Sequence, residues 1–321
     1  MQTVLVTGGA GFIGSRFIRL LLTKYPSITI VNFDALTYAA NLKSLAEFEG
    51  NPRYTFFKAD IRDRSTVEAV FEAHDIDSVV NFAAETHVDR SILDPDTFLS
   101  VNVLGTGVLL NAALKNWRRH NGIYKKDVRF LQVSTDEVYG TNNGEEGFRE
   151  NAPLLPNNPY AASKASADML VRAYYQTYAL PAIITRSSNN FGPRQHKEKL
   201  IPLVIKACAE GKSIPVYGDG MQMRDWLYVD DNCEAIDLVL NKGNIGEVYN
   251  VCSGYEMPNI EVINRIVSLM GASETLLEHV LDRPGHDRRY TMDCTKLKRL
   301  GFQIKMPFEE GLKDTIAQYN S

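Results

Sequence analysis

The chain has 321 residues, enough to bury a substantial core in one large domain or two coupled ones. Hydrophobic content of 44% and charged content of 23% are ordinary for a folded globular protein, and a formal net charge of −4 supplies no general attraction to nucleic acid or an acidic membrane. Met1-Gln2-Thr3 runs directly into an apolar strand pattern, and no apolar run approaches the ~20 residues that span a bilayer, so neither a secretory leader nor membrane insertion is expected.

Thr3 to Val6 is a short apolar strand, followed by glycines and by a helix from Phe12 to Leu22 with apolar residues at Ile13, Phe17, Ile18, Leu21 and Leu22. Ile28 to Phe33 and Thr55 to Lys58 are the next strands. A helix over about 65–73 is expected to start at an Ser65 cap, with Glu68 completing a capping box. Strands at Ser78 to Phe82 and Arg129 to Ser134 flank a long helix around Val101 to Trp117, and Ala182 to Arg186 is a further strand. This alternation predicts an α/β fold: a doubly wound parallel sheet of Rossmann type with helices on both faces.

Beyond Asn190, prolines and glycines interrupt the rhythm. The expected organisation is a dinucleotide-binding domain over 1–188, rejoined by about 225–251, and a smaller substrate-binding region formed by 189–224 and 252–321. The basic residues from Arg118-Arg119-His120 to Lys125-Lys126 read as a solvated connection, because they lack the interleaved aromatics of a nucleic-acid surface. Cys208, Cys233, Cys252 and Cys294 form no C-x-x-C pair, so no metal site is expected. They read as buried free thiols of a cytoplasmic protein.

Gly8-Gly9-Ala10-Gly11-Phe12-Ile13-Gly14 lies between the first strand and the first helix and satisfies G-x-G-x-x-G. Such a turn lets a pyrophosphate approach backbone amides at a helix N-terminus. Asp34, twenty residues past Gly14 at the end of the second strand, can accept the adenosine ribose hydroxyls and would repel a 2′-phosphate, which favours NAD over NADP. Asp60, at the end of the third strand, is either an adenine contact or an exposed loop aspartate.

Ser134-Thr135-Asp136-Glu137 and Tyr160-x-x-x-Lys164 supply a hydroxyl, two carboxylates, a phenol and an ammonium group. Tyr160 and Lys164 stand one helical turn apart on one face. A nearby Lys⁺ and a positive nicotinamide are expected to lower the phenol's pKa from its usual ~10, so that it can take a hydroxyl proton.

Taken with Ala83 to Ser91, Asn189 to Pro193, Glu198 to Pro202, Val216 to Gly220, Arg224-Asp225-Trp226 and Asp282 to Tyr290, these motifs resemble the extended short-chain dehydrogenase/reductases over essentially the whole chain. Within them the chain is most similar to the nucleotide-diphosphate-glucose 4,6-dehydratases. That resemblance implies oxidation of the sugar at C4, loss of water across C5 and O6, and hydride return to C6, with dTDP-glucose the favoured substrate and UDP-glucose next. It assigns Asp136 as the acid at O6, Glu137 as the base at C5, Thr135 as the partner of the C4 oxygen, Tyr160 as the C4 base and Lys164 as its tuner. Burial and carboxylate repulsion are expected to keep Asp136 protonated beside an ionised Glu137.

For the cofactor the resemblance adds Ile61, Ala83, Ala84, Thr86, Val101, Ser134 and Asn190 to the glycine loop and the two aspartates. For the sugar nucleotide it implies Thr86, Asn189, Lys199, Leu200, Pro215 and Tyr217, followed by Arg224, Asn250, Arg283 and His286. It also implies a homodimer formed through helices at about 101–114 and 165–175. The chain departs from the usual family pattern at Arg194 to Lys197 and at Val251-Cys252-Ser253, near the nucleotide side. A 4-epimerase of the same family is the alternative enzyme, but epimerisation through a ketone needs no acid and base at C5 and C6. An NAD-responsive binding protein would have no use for the full Thr135, Tyr160 and Lys164 set.

Overall fold

The computed structural model describes residues 2–119 and 122–319, so Met1 and the His120 part of the basic stretch lie outside the described residues. Twelve strands follow in chain order: β1 (Thr3–Thr7), β2 (Thr29–Asp34), β3 (Tyr54–Lys58), β4 (Ser78–Asn81), β5 (Arg129–Thr135) and β6 (Ala182–Ser187), then β7 (Asn189–Phe191), β8 (Ile214–Tyr217), β9 (Met223–Tyr228), β10 (Val248–Val251), β11 (Glu256–Pro258) and β12 (Leu277–Val280). Seven of them form one sheet in the order β10-β6-β5-β4-β1-β2-β3, and every neighbouring pair is parallel. Strand order reverses between β1 and β4, the point at which such sheets open a crevice beyond their carboxyl ends.

The central strands are buried on both faces, which is why Val4-Leu5-Val6 and Ile30-Val31 read as continuous apolar runs. Helix α1 (Phe12–Lys24) buries Phe17, Ile18, Leu21 and Leu22 at helical spacing, each such side chain contributing roughly 1.5–3 kcal/mol. Helix α2 (Arg64–Ala73) begins two residues earlier than the expected capping box. Asp63 caps it instead, accepting from the Thr66 amide at 3.2 Å, while Glu68 pairs with Lys115 at 2.8 Å.

The long helix expected from Val101 starts earlier and is composite. Short helices α3 (Val88–Leu93) and α4 (Pro95–Phe98) lead through a wider π-helical stretch over Leu99–Gly105 into α5 (Thr106–Trp117). The run Pro95–Trp117 is, by length and composition alone, long and apolar enough to cross a membrane, which corrects the expectation that no such run exists. Its Leu109, Leu110, Ala112, Ala113 and Trp117 are buried in the core between strands and α2, as in a core helix.

Helix α6 (Pro159–Tyr178) is entered through a clear local signal, with Asn158 accepting from the Ala161 amide at 2.8 Å and Pro159 in the first turn. Helix α7 (Leu200–Glu210) belongs to the smaller region, and α8 (Val229–Lys242) packs against α1 and β6 of the large sheet. The preceding strand β9 does not enter that sheet, although the sequence grouped it with α8. It forms the middle of a three-stranded sheet, β11-β9-β7, whose apolar side joins Phe191, Trp226, Tyr228 and Phe308 in a separate core.

Of the four cysteines expected to be free, Cys252 and Cys294 are joined as a disulfide with Cα atoms 6.0 Å apart, close to the usual separation. Cys233 is free and buried, and Cys208 is free and only partly buried.

Candidate active site

A cavity of about 350 Å³ opens at the carboxyl ends of the large sheet, over the β1/β4 switch point. Its floor is the glycine loop. Gly8 adopts a left-handed φ of +68°, and a Cβ there would sit 2.7 Å from the Ala83 amide nitrogen. A Cβ on Gly14 would press on the Gly8 carbonyl oxygen. Gly11 stands at the N-cap of α1 without a capping side chain, so the first-turn amides of Phe12, Ile13 and Gly14 remain available to an anion.

Asp34 at the end of β2 accepts from the amides of Ala10 at 2.9 Å and Leu36 at 2.8 Å. It therefore holds the glycine loop while keeping acceptor capacity towards the cavity. Asp60 also lines the cavity, but Arg62 binds it through both oxygens at 2.6–3.1 Å and holds its carboxyl below the usual range. Ile61, Ala83, Ala84, Thr86 and Val101 form the adjoining walls. Ser134, Asn189, Asn190 and Lys199 close the opposite side, and Lys199 donates to the Thr86 carbonyl at 3.0 Å.

Strand β5 ends at Thr135, and a single 3-10 turn, Asp136–Tyr139, carries the two carboxylates into the cavity mouth. Thr135 donates to Asp136 Oδ1 at 3.0 Å and accepts from the Glu137 amide at 3.3 Å. Asp136 is 3% exposed, and burial together with the neighbouring Glu137 charge pushes its carboxyl up to about 8. A carboxylic acid that keeps its proton at neutral pH can act as a general acid. Glu137 Oε2 accepts from Asn158 at 3.3 Å and from the Tyr290 hydroxyl at 3.4 Å. These two partners had no assigned role in the sequence reading. The Asn158 cap before Tyr160 was a readable signal for one of them, and Tyr290 closes the Asp282 to Tyr290 run.

Tyr160 and Lys164 face the same cavity from α6. The expected direction of the phenol's shift is reversed among the protein's own groups. Burial and then the Glu137 charge push Tyr160 up, while Lys164 donates to the Val133 carbonyl at 2.7 Å and is pushed down to about 8 by burial.

The buried Ser134 Oγ, Asp136 Oδ2, Asn189 Oδ1 and Asn190 Oδ1 have no hydrogen-bond partner within the protein. Buried polar atoms are normally satisfied, so these four mark where a polar ligand belongs. With the glycine cradle and Asp34 they fit a dinucleotide beside a polyhydroxylated substrate. Among the described residues, no group of three or more His, Cys, Asp or Glu side chains is arranged to hold a metal ion.

The other predicted substrate residues do not line this cavity. Leu200 opens α7, while Pro215 and Tyr217 lie on β8. The Tyr217 hydroxyl and Arg283 Nη1 both approach Asp89, at 3.5 and 3.7 Å. His286 contacts Asp282 at 2.6 Å, and burial with the Arg283 charge pushes it down to about 4, so it is neutral at physiological pH. Buried Arg224 lies over the Tyr290 ring at 4.3 Å, and its charge is felt at Asp136. These residues form a rim beside the cavity. Asn250 belongs to neither place. It is fully buried on β10, accepts from the Tyr139 hydroxyl at 2.8 Å and donates to the Phe148 carbonyl at 2.8 Å.

A parallel sheet in this order, a glycine cradle with an aspartate at the end of the second strand and a buried Tyr/Lys pair define an extended short-chain dehydrogenase/reductase. Residues 5–315 match the family model described as GDP-mannose 4,6 dehydratase, and the chain belongs to that family. It is 51% identical over 317 residues to the low-salt glycan biosynthesis protein Agl12 of Haloferax volcanii, covering 98% of each chain. It is 49% identical to a dTDP-glucose 4,6-dehydratase of Xanthomonas campestris, covering 99% of this chain and 93% of the relative. Among solved structures, the dTDP-glucose 4,6-dehydratase DesIV of Streptomyces venezuelae with NAD bound superposes with a TM-score of 0.93 at 43% identity, covering 99% of this chain and 97% of the other.

Proposed function

We propose that this chain is an NAD-dependent dTDP-glucose 4,6-dehydratase. The observation that carries the reading is the Asp136-Glu137 turn, in which one carboxyl is buried and protonated while its neighbour is held by Asn158 and Tyr290. NAD would be held by the glycine loop, Asp34 and the walls formed by Ile61, Ala83 and Val101, with Lys164 and Asn190 on the nicotinamide side. When bound, it supplies a hydride acceptor at C4, a donor at C6 and a positive charge that favours the Tyr160 phenolate. Tyr160 takes the proton from the C4 hydroxyl while Thr135 holds that oxygen. The C4 ketone makes the C5 hydrogen acidic, Glu137 removes it, and Asp136 protonates O6 as water leaves. The solvent-excluding burial of Asp136 keeps that proton available.

The rim residues Tyr217, Arg224, Arg283 and His286 are assigned to the nucleotide diphosphate, with Arg224 and Arg283 suited to phosphate oxygens. On this reading, 1–188 with 229–251 serve the cofactor, and 189–228 with 252–321 serve the sugar nucleotide. A cytoplasmic homodimer follows from the same reading. It is supported by apolar side chains exposed along the two helices, Leu104 at 67% and Met169 at 46%. A disulfide such as Cys252–Cys294 is uncommon in a reducing compartment and weighs against the cytoplasmic part of that reading.

The test is incubation with dTDP-glucose and UDP-glucose in D₂O. The expected product is the 4-keto-6-deoxy sugar carrying deuterium at C5, formed faster from dTDP-glucose. Absence of this product from both substrates overturns the reading, and preference for UDP-glucose overturns the choice of base. Glu137→Gln is expected to permit cofactor reduction at 340 nm while C5 exchange falls ~10²–10⁴-fold.

A further inference from the structure

One buried ion pair lies outside the chemistry described above yet joins two of the elements that carry it, α6 and the Asp136–Tyr139 turn. Asp168 is on α6, one turn beyond Lys164, and is fully buried. Its Oδ2 accepts from Arg186 Nε of β6 at 2.9 Å, where the two side chains are 0% and 3% exposed. Arg186 Nη1 donates to the Tyr139 hydroxyl at 2.8 Å, and Tyr139 closes the turn that bears Asp136 and Glu137. The Tyr139 hydroxyl in turn donates to Asn250 of β10. Asp168 Oδ1 is buried and has no hydrogen-bond partner.

Arg186 satisfies one oxygen of this buried carboxylate, and the other is left without a hydrogen bond, which is unusual for a buried polar atom. Residues at i and i+4 on a helix are side by side, and the neighbour here is Lys164. We propose that Asp168 is a positioning residue for Lys164: one helical turn beyond it on α6, and paired with Arg186, it ties the Tyr160/Lys164 helix to the Asp136-Glu137 turn. The role rests on the proposed use of Lys164 beside the nicotinamide.

Burial alone would discharge the lysine, and Asp168 is the group whose charge opposes that. The other ionisable groups nearby are Tyr160 on α6, Asp136, Glu137 and Tyr139 on the turn, and Arg186 on β6. Strand β5 offers the Val133 carbonyl, and the stretch over Leu99–Gly105 has no ionisable side chain. Asp89 and Arg90 of α3 approach Arg283 and Glu198, Asp96 of α4 is exposed, and Lys115 of α5 pairs with Glu68.

The test is the titration of Lys164, read in two ways on the NAD-loaded enzyme. One is the alkaline limb of the pH profile for C4 oxidation, and the other is the ¹⁵N resonance of the Lys164 ammonium group. Asp168→Asn is expected to move both to lower pH by about one unit, and Asp168→Glu to restore them. Because Asp168→Asn leaves Arg186 as an uncompensated buried charge, the double variant Asp168→Asn/Arg186→Gln is measured alongside, with the same direction expected. Loss of stability with an unmoved Lys164 titration in the variants that fold would make the pair purely structural and overturn the proposal. Absence of turnover in the wild-type enzyme would refute the proposed function, while the ¹⁵N titration would still decide the role of Asp168.

Discussion

The glycine cradle and the neighbouring rim of Tyr217, Arg224, Arg283 and His286 are held together by different physics. In the cradle, backbone does the work: a left-handed Gly8, an uncapped helix start at Gly11, and an Asp34 that organises amides from two loops. In the rim, side chains from distant segments face one another across partly exposed pairs, such as Arg283 with Asp89. A pre-formed backbone site loses little entropy on binding, whereas paired rim cations must exchange partners when a diphosphate arrives. On the proposed function, that contrast predicts tight retention of the cofactor and easy exchange of the sugar nucleotide. A reaction that borrows a hydride and returns it requires both.

The largest effect should separate chemistry from either kind of binding. Tyr160→Phe is expected to lower product formation by ~10²–10⁴-fold while the purified enzyme keeps its NAD, measured by absorbance after desalting. Loss of NAD in the same variant would show that the cradle depends on the reacting centre and would break the contrast. Gly14→Ala should do the reverse. Its Cβ would press on the Gly8 carbonyl and lie 2.9 Å from Gly9 Cα, so cofactor affinity should fall at least about tenfold. The KM for nucleotide sugar at saturating NAD should stay unchanged.

A smaller effect probes the rim. Asp89→Asn removes the acid that Arg283 and Tyr217 now approach, freeing the guanidinium for phosphate. Pairs at this exposure are worth about 0–1 kcal/mol, so KM should fall by at most about fivefold, with kcat unchanged. A rise in KM would mean that Asp89 positions the arginine rather than competing for it.

The same contrast governs what the sequence could reveal. The cradle is written in contiguous residues, because a glycine turn needs its strand before and its helix after. The succession of β1 to β6 along the chain follows from alternation, whereas their order in the sheet is set by long-range pairing. The segment from about Asp225 reads as rejoining the first domain because a regular apolar stretch looks the same whichever sheet receives its strand, and only the β7 and β11 partners decide. Asn158 and Tyr290 reach Glu137 from 21 and 153 residues away, and no local spacing encodes such convergence. Asn250 illustrates the opposite error, in which a motif suggested a ligand contact but the side chain is spent on Tyr139 and Phe148. The pairing of Cys252 with Cys294, 42 residues apart, belongs to the same long-range class.

The smallest expected effect lies on stability, and it has a definite sign. Asp136 keeps its proton in the fold up to about pH 8, whereas an unfolded aspartic acid releases it near 3.8. Across that window the unfolded state binds fewer protons, so the group's contribution to stability is intact below about pH 4 and is lost as pH rises towards 8. An asparagine at this position keeps the shape and cannot ionise. Asp136→Asn should therefore slow elimination of water while raising the melting temperature by a few degrees at pH 7.5, with the gain shrinking towards pH 4. Thermal denaturation of the NAD-loaded wild type and variant at both pH values provides the measurement. A gain that persists undiminished at pH 4 would show that packing or hydrogen bonding, rather than a strained proton, is the source. In that case Asp136 would lose the main physical argument for its role as the acid at O6.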